Sequence, residues 1–373
     1  MTSKESKLKV DPKISAVSRD KSGSSKEEVR QRDSLQPVYR MFYNESPLGP
    51  CPEALAVINK RARTFGRYPA FAGEKLHESL GETLGHALTP DHFFTASGGY
   101  ETLEWIAKAL LRPGDECILS YPTLNVYNRV VSRQGVKIIN VPLDPDGFTP
   151  NIEGILSAVN HKTYMVLLGN PNNPTGTIMT AEQMEKLVNQ MPEHVFIVTD
   201  EADHHFVTRP DFPDSINYVL GGKNLIIMHS FSKAYGLAAI RLGYAIMIPQ
   251  LAHYMRRQSR DAPQNRRALI AGMVALKDQA HLKKNIQMTL SGKQWLYNQF
   301  ERLGLTYWPT QSNFVVVQCP IRATQIVIQL LPLGVMVRPL ARAGLPYCLR
   351  VTVSTPEGNQ AFIAALERVL GAT

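Results

Sequence analysis

The stretch SFSKAYGLAAIRLGY, residues 230–244, follows directly on LIIMH (225–229), a short run of apolar residues. A run of this length and composition, closed by polar turn residues, reads as a strand buried on both faces. Lys233 then stands just past the carboxyl end of a buried strand, the edge at which open α/β sheets hold ligands. Lysine is costly to bury. Ser230 and Ser232 flank it and Arg241 lies eight residues on, so two hydroxyls and a guanidinium surround the amine as an anion cup suited to a phosphate. Taken alone, the segment has a plainer second reading, a surface lysine in a serine-rich loop.

Outward from this point, short β-branched runs alternate with helical patterns. The runs are FFTAS (93–97), ECILS (116–120), KIINV (137–141), YMVLL (164–168), HVFIV (194–198) and LGYAIMI (242–248). Between them come helices such as ETLEWIAKALL (101–111) and AEQMEKLVNQ (181–190), the first with one apolar stripe. The expectation is an α/β fold: a large domain with a mostly parallel sheet covered by helices on both faces. After residue 270 the pattern changes to a helix-rich stretch, then FVVVQ (314–318), GVMVRP (334–339), LRVTVS (349–354) and the closing helix EGNQAFIAALERVL. These predict a smaller α+β domain, with the cleft between the two as the default site. The expected boundaries are a basic tail at 1–36, an N-terminal arm and large domain at 37–268, and a small domain at 269–373.

Three further segments meet the lysine at the same sheet edge. In SGGYE (97–101), Gly98, Gly99 and Tyr100 open a helix whose free amides and positive end suit a phosphate. In GNPNNPTG (169–176), a tight turn after a strand places Asn173 at that edge. In HVFIVTDEA (194–202), Asp200 ends a buried strand, where a carboxylate needs a partner. A pyridinium nitrogen is a suitable one, because the pair keeps the ring protonated and electron-withdrawing. A reactive amine, a phosphate cup and such an acid are together what pyridoxal 5'-phosphate requires.

Composition leaves this reading room. The chain has 373 residues, 44% hydrophobic and 20% charged, values of an ordinary globular enzyme. No apolar run spans a bilayer and the first twenty residues hold no secretory signal, so a cytoplasmic protein without membrane contact is expected. The net charge of +9 concentrates in two patches. Residues 1–40 hold ten Lys or Arg against six acids, and residues 251–267 hold five Arg against one. A polar tail and a single helix-and-turn read as solvated surface, so nucleic acid is not an expected partner. Cys51, Cys117, Cys319 and Cys348 lack CxxC spacing, so neither a zinc site nor a disulfide framework is expected.

The order SGGYE, NPNNPTG, TDEA, SFSKAYGLAAIRLGY resembles fold-type I pyridoxal phosphate enzymes of the aminotransferase class, and within them the histidinol-phosphate aminotransferases. NESPLGP (44–50), RYP (67–69), GVMVRPL (334–340) and LRVTVSTPEGN (349–359) extend the resemblance from about Tyr43 to the end of the chain. It implies Lys233 as the lysine that condenses with the cofactor and Asp200 on the pyridine nitrogen. Asn173 would meet the ring hydroxyl, while Ser230, Ser232, Arg241 and the Gly99 and Tyr100 amides take the phosphate. Arg350 would bind the substrate α-carboxylate. It also implies a homodimer with shared sites, in which Tyr68 reaches the partner's phosphate.

The departures carry the rest. The family's DEAY is here DEADHH, with Asp203, His204 and His205. A carboxylate facing a ring phenolate would be repelled by roughly 4 kcal/mol at about 4 Å with an effective dielectric near 20. Asp203 is therefore expected to be protonated, turned away or paired, with His204 one partner. Leu124 stands where an aromatic usually stacks on the ring, with Tyr127 a substitute, and SRDAPQNRR (259–267) replaces the segment that cradles histidinol phosphate. Asp203, His204 and Glu45 could supply the extra acids and bases needed to remove a Cβ proton and expel a Cγ group. On those departures the chain is similar to divergent cyclases that dehydrate hydroxyarginine and close its guanidine into enduracididine or capreomycidine rings, such as those of cyanobacterial guanitoxin biosynthesis. The alternative is an aminotransferase with a retuned pocket acting on a polar L-amino acid. For each histidine the plain reading is exposed loop decoration. A non-enzymatic cofactor-binding regulator is disfavoured by the intact Lys233, Asp200 and Arg350 and by a tail too short for a winged helix.

Overall fold

A computed structural model describes residues 38–60, 72–145, 147–259 and 265–371; the basic tail at 1–36 and Tyr68 fall outside them. Thirteen strands form among the described residues. After the two-residue β1 (Tyr39–Arg40) come β2 (Phe93–Ala96), β3 (Glu116–Tyr121), β4 (Lys137–Pro142), β5 (Thr163–Gly169), β6 (Phe196–Asp200), β7 (Leu225–Ser230) and β8 (Gly243–Ile246). These last seven make one sheet in the order β2-β8-β7-β6-β5-β3-β4. The five strands from β3 to β7 are parallel where they pair, while β8 runs antiparallel to both β7 and β2. The carboxyl ends of β2, β3, β5, β6 and β7 and the amino end of β8 therefore share one edge.

Continuous apolar runs make this sheet because both faces are covered. Ile118, Val166, Leu168, Ile197 and Ile227 point into one core, and Cys117, Leu119, Met165, Leu167 and Val198 into the other. The period-2 alternation of a strand sorts neighbours to opposite faces. Three expectations need correction. β4 is not buried on both faces: it is one of the sheet's two edge strands, and unlike β2 at the other edge most of its residues are partly or fully exposed. LGYAIMI runs against the parallel strands beside it. The strand expected at 194–198 starts at Phe196, because Val195 closes a turn by donating to the Pro192 carbonyl.

The remaining strands are β9 (Tyr307–Trp308), β10 (Phe314–Gln318), β11 (Val335–Met336), β12 (Arg338–Pro339) and β13 (Cys348–Thr352). Four of them form an antiparallel sheet, β12-β13-β10-β9. GVMVRP is divided: β11 pairs with β1 in a separate parallel ribbon, and only β12 joins the second sheet. On β10, Val315 and Val317 pack with Phe300, Phe362 and Leu366, while Phe314 and Val316 face Leu340. The boundary expected at 268/269 falls inside the helix Arg266–Lys277, whose Ala268, Leu269, Ala271, Ala275 and Leu276 join the core of the larger sheet. The arm is divided too, since Met41 packs in the second core. No helix of the described residues is long and apolar enough to cross a membrane.

Candidate functional site

The shared sheet edge brings distant motifs together. Gly243 pairs with both Ala96 and Ser230, so the ends of β2 and β7 meet at the start of β8. A Cβ on Gly243 would lie 2.8 Å from the Gly98 carbonyl carbon and the Gly99 nitrogen, a closeness that only glycine permits. Gly98 has φ +89°, and a Cβ there would collide with the Arg241 guanidinium. Gly98 is also the N-cap of the helix Gly99–Leu110 and offers no side chain to its first turn. The acid of that turn, Glu101, is folded back to accept from the Ser97 amide at 2.5 Å. At the end of β7 the Ser230 hydroxyl oxygen accepts from the Ser232 amide at 3.1 Å, and both serines are buried. A helix start, a guanidinium and two hydroxyls at one edge form a cradle for an anion.

Next to it opens a cavity of about 320 Å³ whose walls include Lys233, Asp200, Asp203, Asn173, Arg350 and Leu124. Lys233 Nζ donates to the Tyr43 carbonyl at 3.0 Å. Its recessed position pulls the ammonium below the usual lysine range and Arg350 adds to this, against the opposing charges of Asp203, Glu45 and Asp200. Asp200, at the end of β6, accepts from the Tyr127 hydroxyl at 2.7 Å and the Ala202 amide at 3.1 Å. Burial nevertheless lifts its carboxyl to about 6. Tyr127 is therefore bonded to the acid, and Leu124 occupies the cavity wall.

Arg350, in the middle of β13, is buried and donates from Nη1 to Asn173 Oδ1 at 2.6 Å and from Nη2 to the Phe42 carbonyl at 2.7 Å. Its Nε has no hydrogen-bond partner. Burial and the neighbouring Arg338 lower the guanidinium to about 9, conditions that favour an incoming carboxylate. With its oxygen committed to Arg350, the amide of Asn173 is left to donate.

Asp203 is buried in the cavity wall and its Oδ1 has no partner. Burial raises its carboxyl, opposed by Lys233, Ser312, Arg350 and Lys293. The expected pairing with His204 does not form. His204 is not a wall residue of the cavity. Its Nδ1 lies 2.7 Å from the Glu201 carbonyl, which can only accept, and its ring stacks on His229 at 3.9 Å and against His205 at 3.8 Å. The reason is local: Asp203 precedes the 3-10 turn His204–Phe206, and three residues per turn swing the next side chain away from the cavity. Nor are His204 and His205 exposed decoration, since both are partly buried. Glu45 is half-exposed and ion-paired with Arg40 at 2.6 Å, with its charge still acting on Lys233.

Two contributions were not foreseen from the sequence. Arg129, Arg338 and Arg342 also line the cavity, which adds three cationic side chains to its wall. Lys293 is buried on the helix Gln279–Arg302. A lysine at the spacing of the apolar face (Leu282, Leu296, Phe300) is the signal that could have found it.

A family model described as aminotransferase class I and II matches residues 39–366. The histidinol-phosphate aminotransferase of Moorella thermoacetica is 35% identical over 349 residues, 93% of this chain and 89% of that one. Histidinol-phosphate aminotransferase 2 of Hydrogenovibrio crunogenus is 35% identical over 360 residues, 96% and 95% of the two chains. The crystal structure of histidinol-phosphate aminotransferase from Sinorhizobium meliloti in complex with pyridoxal-5'-phosphate is similar with a TM-score of 0.88 and 27% identity, covering 98% of each chain. The residues here fit that cofactor: the Gly98–Arg241 cradle suits its phosphate, Lys233 is an amine of lowered proton affinity, and Asp200 is an acid facing the cavity. With amine, acid and anion cradle converging on one sheet edge and the match running through both sheets, the chain belongs to the class I and II aminotransferase family.

Proposed function

We propose that the protein is a pyridoxal 5'-phosphate-dependent aminotransferase of the histidinol-phosphate aminotransferase type, acting on the α-amino group of a polar L-amino acid. The observation that carries this is the convergence of Lys233, Asp200 and Arg350 on one cavity. The cofactor, when bound, supplies an electrophilic carbon and an electron-withdrawing ring. Lys233 moves the proton at the substrate Cα, and its lowered proton affinity keeps the amine available as a base. Asp200 holds the proton on the ring nitrogen, Arg350 anchors the α-carboxylate, and Asn173 donates to the ring hydroxyl. Ser230, Ser232, Arg241 and the Gly99 and Tyr100 amides hold the phosphate. A homodimer with Tyr68 completing the partner's site is part of this reading; an active monomer in light scattering at assay concentration contradicts it. The test of function is a panel of polar amino acids with 2-oxoglutarate: glutamate and the matching keto acid form in equal amounts. No glutamate from any of them contradicts the proposal.

Arg350→Lys loses the bidentate geometry. Charged hydrogen bonds are worth roughly 1.5–3 kcal/mol, so KM is expected to rise about 10- to 100-fold with cofactor absorbance little changed. Steady-state kinetics and a spectrum check this. An unchanged KM places the carboxylate anchor elsewhere.

One observation favours a second reading, the buried Asp203 carboxyl in the wall beside Lys233. An acid there could serve a second proton transfer at Cβ, giving dehydration and ring closure of a hydroxylated guanidino amino acid. The family relatives favour transfer over this. In deuterated buffer without keto acid, the second reading expects deuterium at both Cα and Cβ, loss of water and retained nitrogen. Asp203→Tyr should then suppress the Cβ label more than the Cα label. Mass spectrometry showing no Cβ label ends that reading.

A further inference from the structure

Arm residues 41–44 run beside the cavity, and Tyr43 and Asn44 form part of its wall. Their backbone carbonyls are all held. Met41 accepts from the Thr352 amide at 2.8 Å, Phe42 from Arg350 Nη2 at 2.7 Å, Tyr43 from Lys233 Nζ at 3.0 Å and Asn44 from Asn313 Nδ2 at 2.9 Å. Asn44 is 1% exposed and takes φ +56°, the left-handed region that asparagine tolerates better than most residues. Its backbone N–H donates to Thr352 Oγ1 at 2.9 Å, and that hydroxyl donates back to Asn44 Oδ1 at 3.0 Å. The bond to Oδ1 orients the side-chain amide and turns Nδ2 away from Thr352. Nδ2 is buried and has no partner, while every other polar atom of the residue is engaged.

A buried donor left open is rare, and in the wall of a ligand cavity it marks a place for an acceptor. Arg350 Nε is a second open donor of the same wall. Arg350 and Thr352 stand two apart on β13 and share a face, and they grip Phe42 and Asn44, two apart on the arm. The arm therefore sets Asn44 next to the carbonyls that hold Lys233 and Arg350. A substrate whose α-amino group meets Lys233 and whose α-carboxylate meets Arg350 passes that point, because the two groups share one carbon. We propose that Asn44 is a substrate-binding residue: its Nδ2 donates to the α-carboxylate that Arg350 anchors. The inference deepens the proposed function and rests on it. In that reading the phosphate and ring hydroxyl of the cofactor have their own donors, which leaves this one for the substrate.

The experiment compares wild-type holoenzyme with Asn44→Gly and Asn44→Asp. Glycine adopts the left-handed backbone freely, so it deletes only the side chain. Aspartate keeps an oxygen for the Thr352 hydroxyl and puts a carboxylate oxygen where Nδ2 stood. Both substrates of the transfer carry an α-carboxylate, so KM for the amino acid and for 2-oxoglutarate should rise together, about 10-fold or more in Asn44→Gly and further in Asn44→Asp. The dissociation constant and absorbance of bound pyridoxal phosphate should stay at wild-type values. A merely structural role would move them, since a displaced arm also takes the Tyr43 carbonyl from Lys233. An unchanged KM in Asn44→Gly means that Nδ2 meets only water and overturns the proposal, as does a rise in KM matched by weaker cofactor binding. If wild type transfers no nitrogen, the proposed function fails, and the contact is read instead from the amino acid concentration that half-saturates the change in cofactor absorbance. The same half-saturation in wild type and Asn44→Gly then overturns the contact as well. If Asn44→Gly does not fold, Asn44→Asp decides alone, and a substrate KM unchanged from wild type overturns the proposal.

Discussion

Lys233→Ala should abolish turnover, by roughly 10⁴-fold or more, because the substitution removes both the nucleophilic amine and a base that alone is worth about 10²–10⁴-fold. The fold should survive. Lys233 is only partly buried and its hydrogen bond runs to one carbonyl, that of Tyr43, so truncation breaks a single hydrogen bond. Its melting temperature should match that of the wild-type apoprotein. In the wild type, borohydride reduction followed by peptide mapping should place the pyridoxyl group on the 230–244 segment at Lys233. A label on any other lysine contradicts the assignment.

Asp200→Ala should cost about 10²–10³-fold in kcat, the range for losing one preorganised electrostatic group. Asp200→Asn keeps the size of the side chain and one acceptor, enough for either the Ala202 amide or the Tyr127 hydroxyl, which donate to different carboxylate oxygens. It cannot hold a positive ring nitrogen, so it should be nearly as damaging. The pair separates charge from shape: near-normal kcat in either variant refutes the role. The sign of the pH effect follows from the same group. In the free protein the Asp200 carboxyl sits at about 6, raised by burial, so cofactor affinity should weaken as pH falls through that value. Equilibrium dialysis checks this, and the Asn variant should lack that step.

Where the physics is periodic, the chain could be read directly. Apolar runs such as LIIMH and YMVLL leave few options in an α/β protein, and the residues just past their ends fall at one sheet edge by construction. Lys233, Asp200 and Asn173 were legible for that reason. The direction of side chains in turns was not, because a single step along a 3-10 turn sends Asp203 into the cavity and His204 onto His229. Nor did periodicity tell which edge strand would be left uncovered: KIINV has the composition of a buried strand, but β4 is largely exposed while β2 at the opposite edge is buried. The division of GVMVRP between a ribbon and the second sheet depends on β1, a two-residue partner almost 300 positions away with no pattern of its own. Lys293 is a different case, since its spacing with Leu296 and Phe300 places it on the buried face, a signal masked by the polar residues around it on the same helix.

The most direct test of amino transfer follows the nitrogen. Holoenzyme is given a polar amino acid labelled with ¹⁵N at the α position, with and without 2-oxoglutarate, and the products are read by mass spectrometry. Transfer puts the ¹⁵N into glutamate in step with keto acid formation, and only when 2-oxoglutarate is present. A product that keeps its ¹⁵N, loses water and accumulates without 2-oxoglutarate contradicts the proposed function.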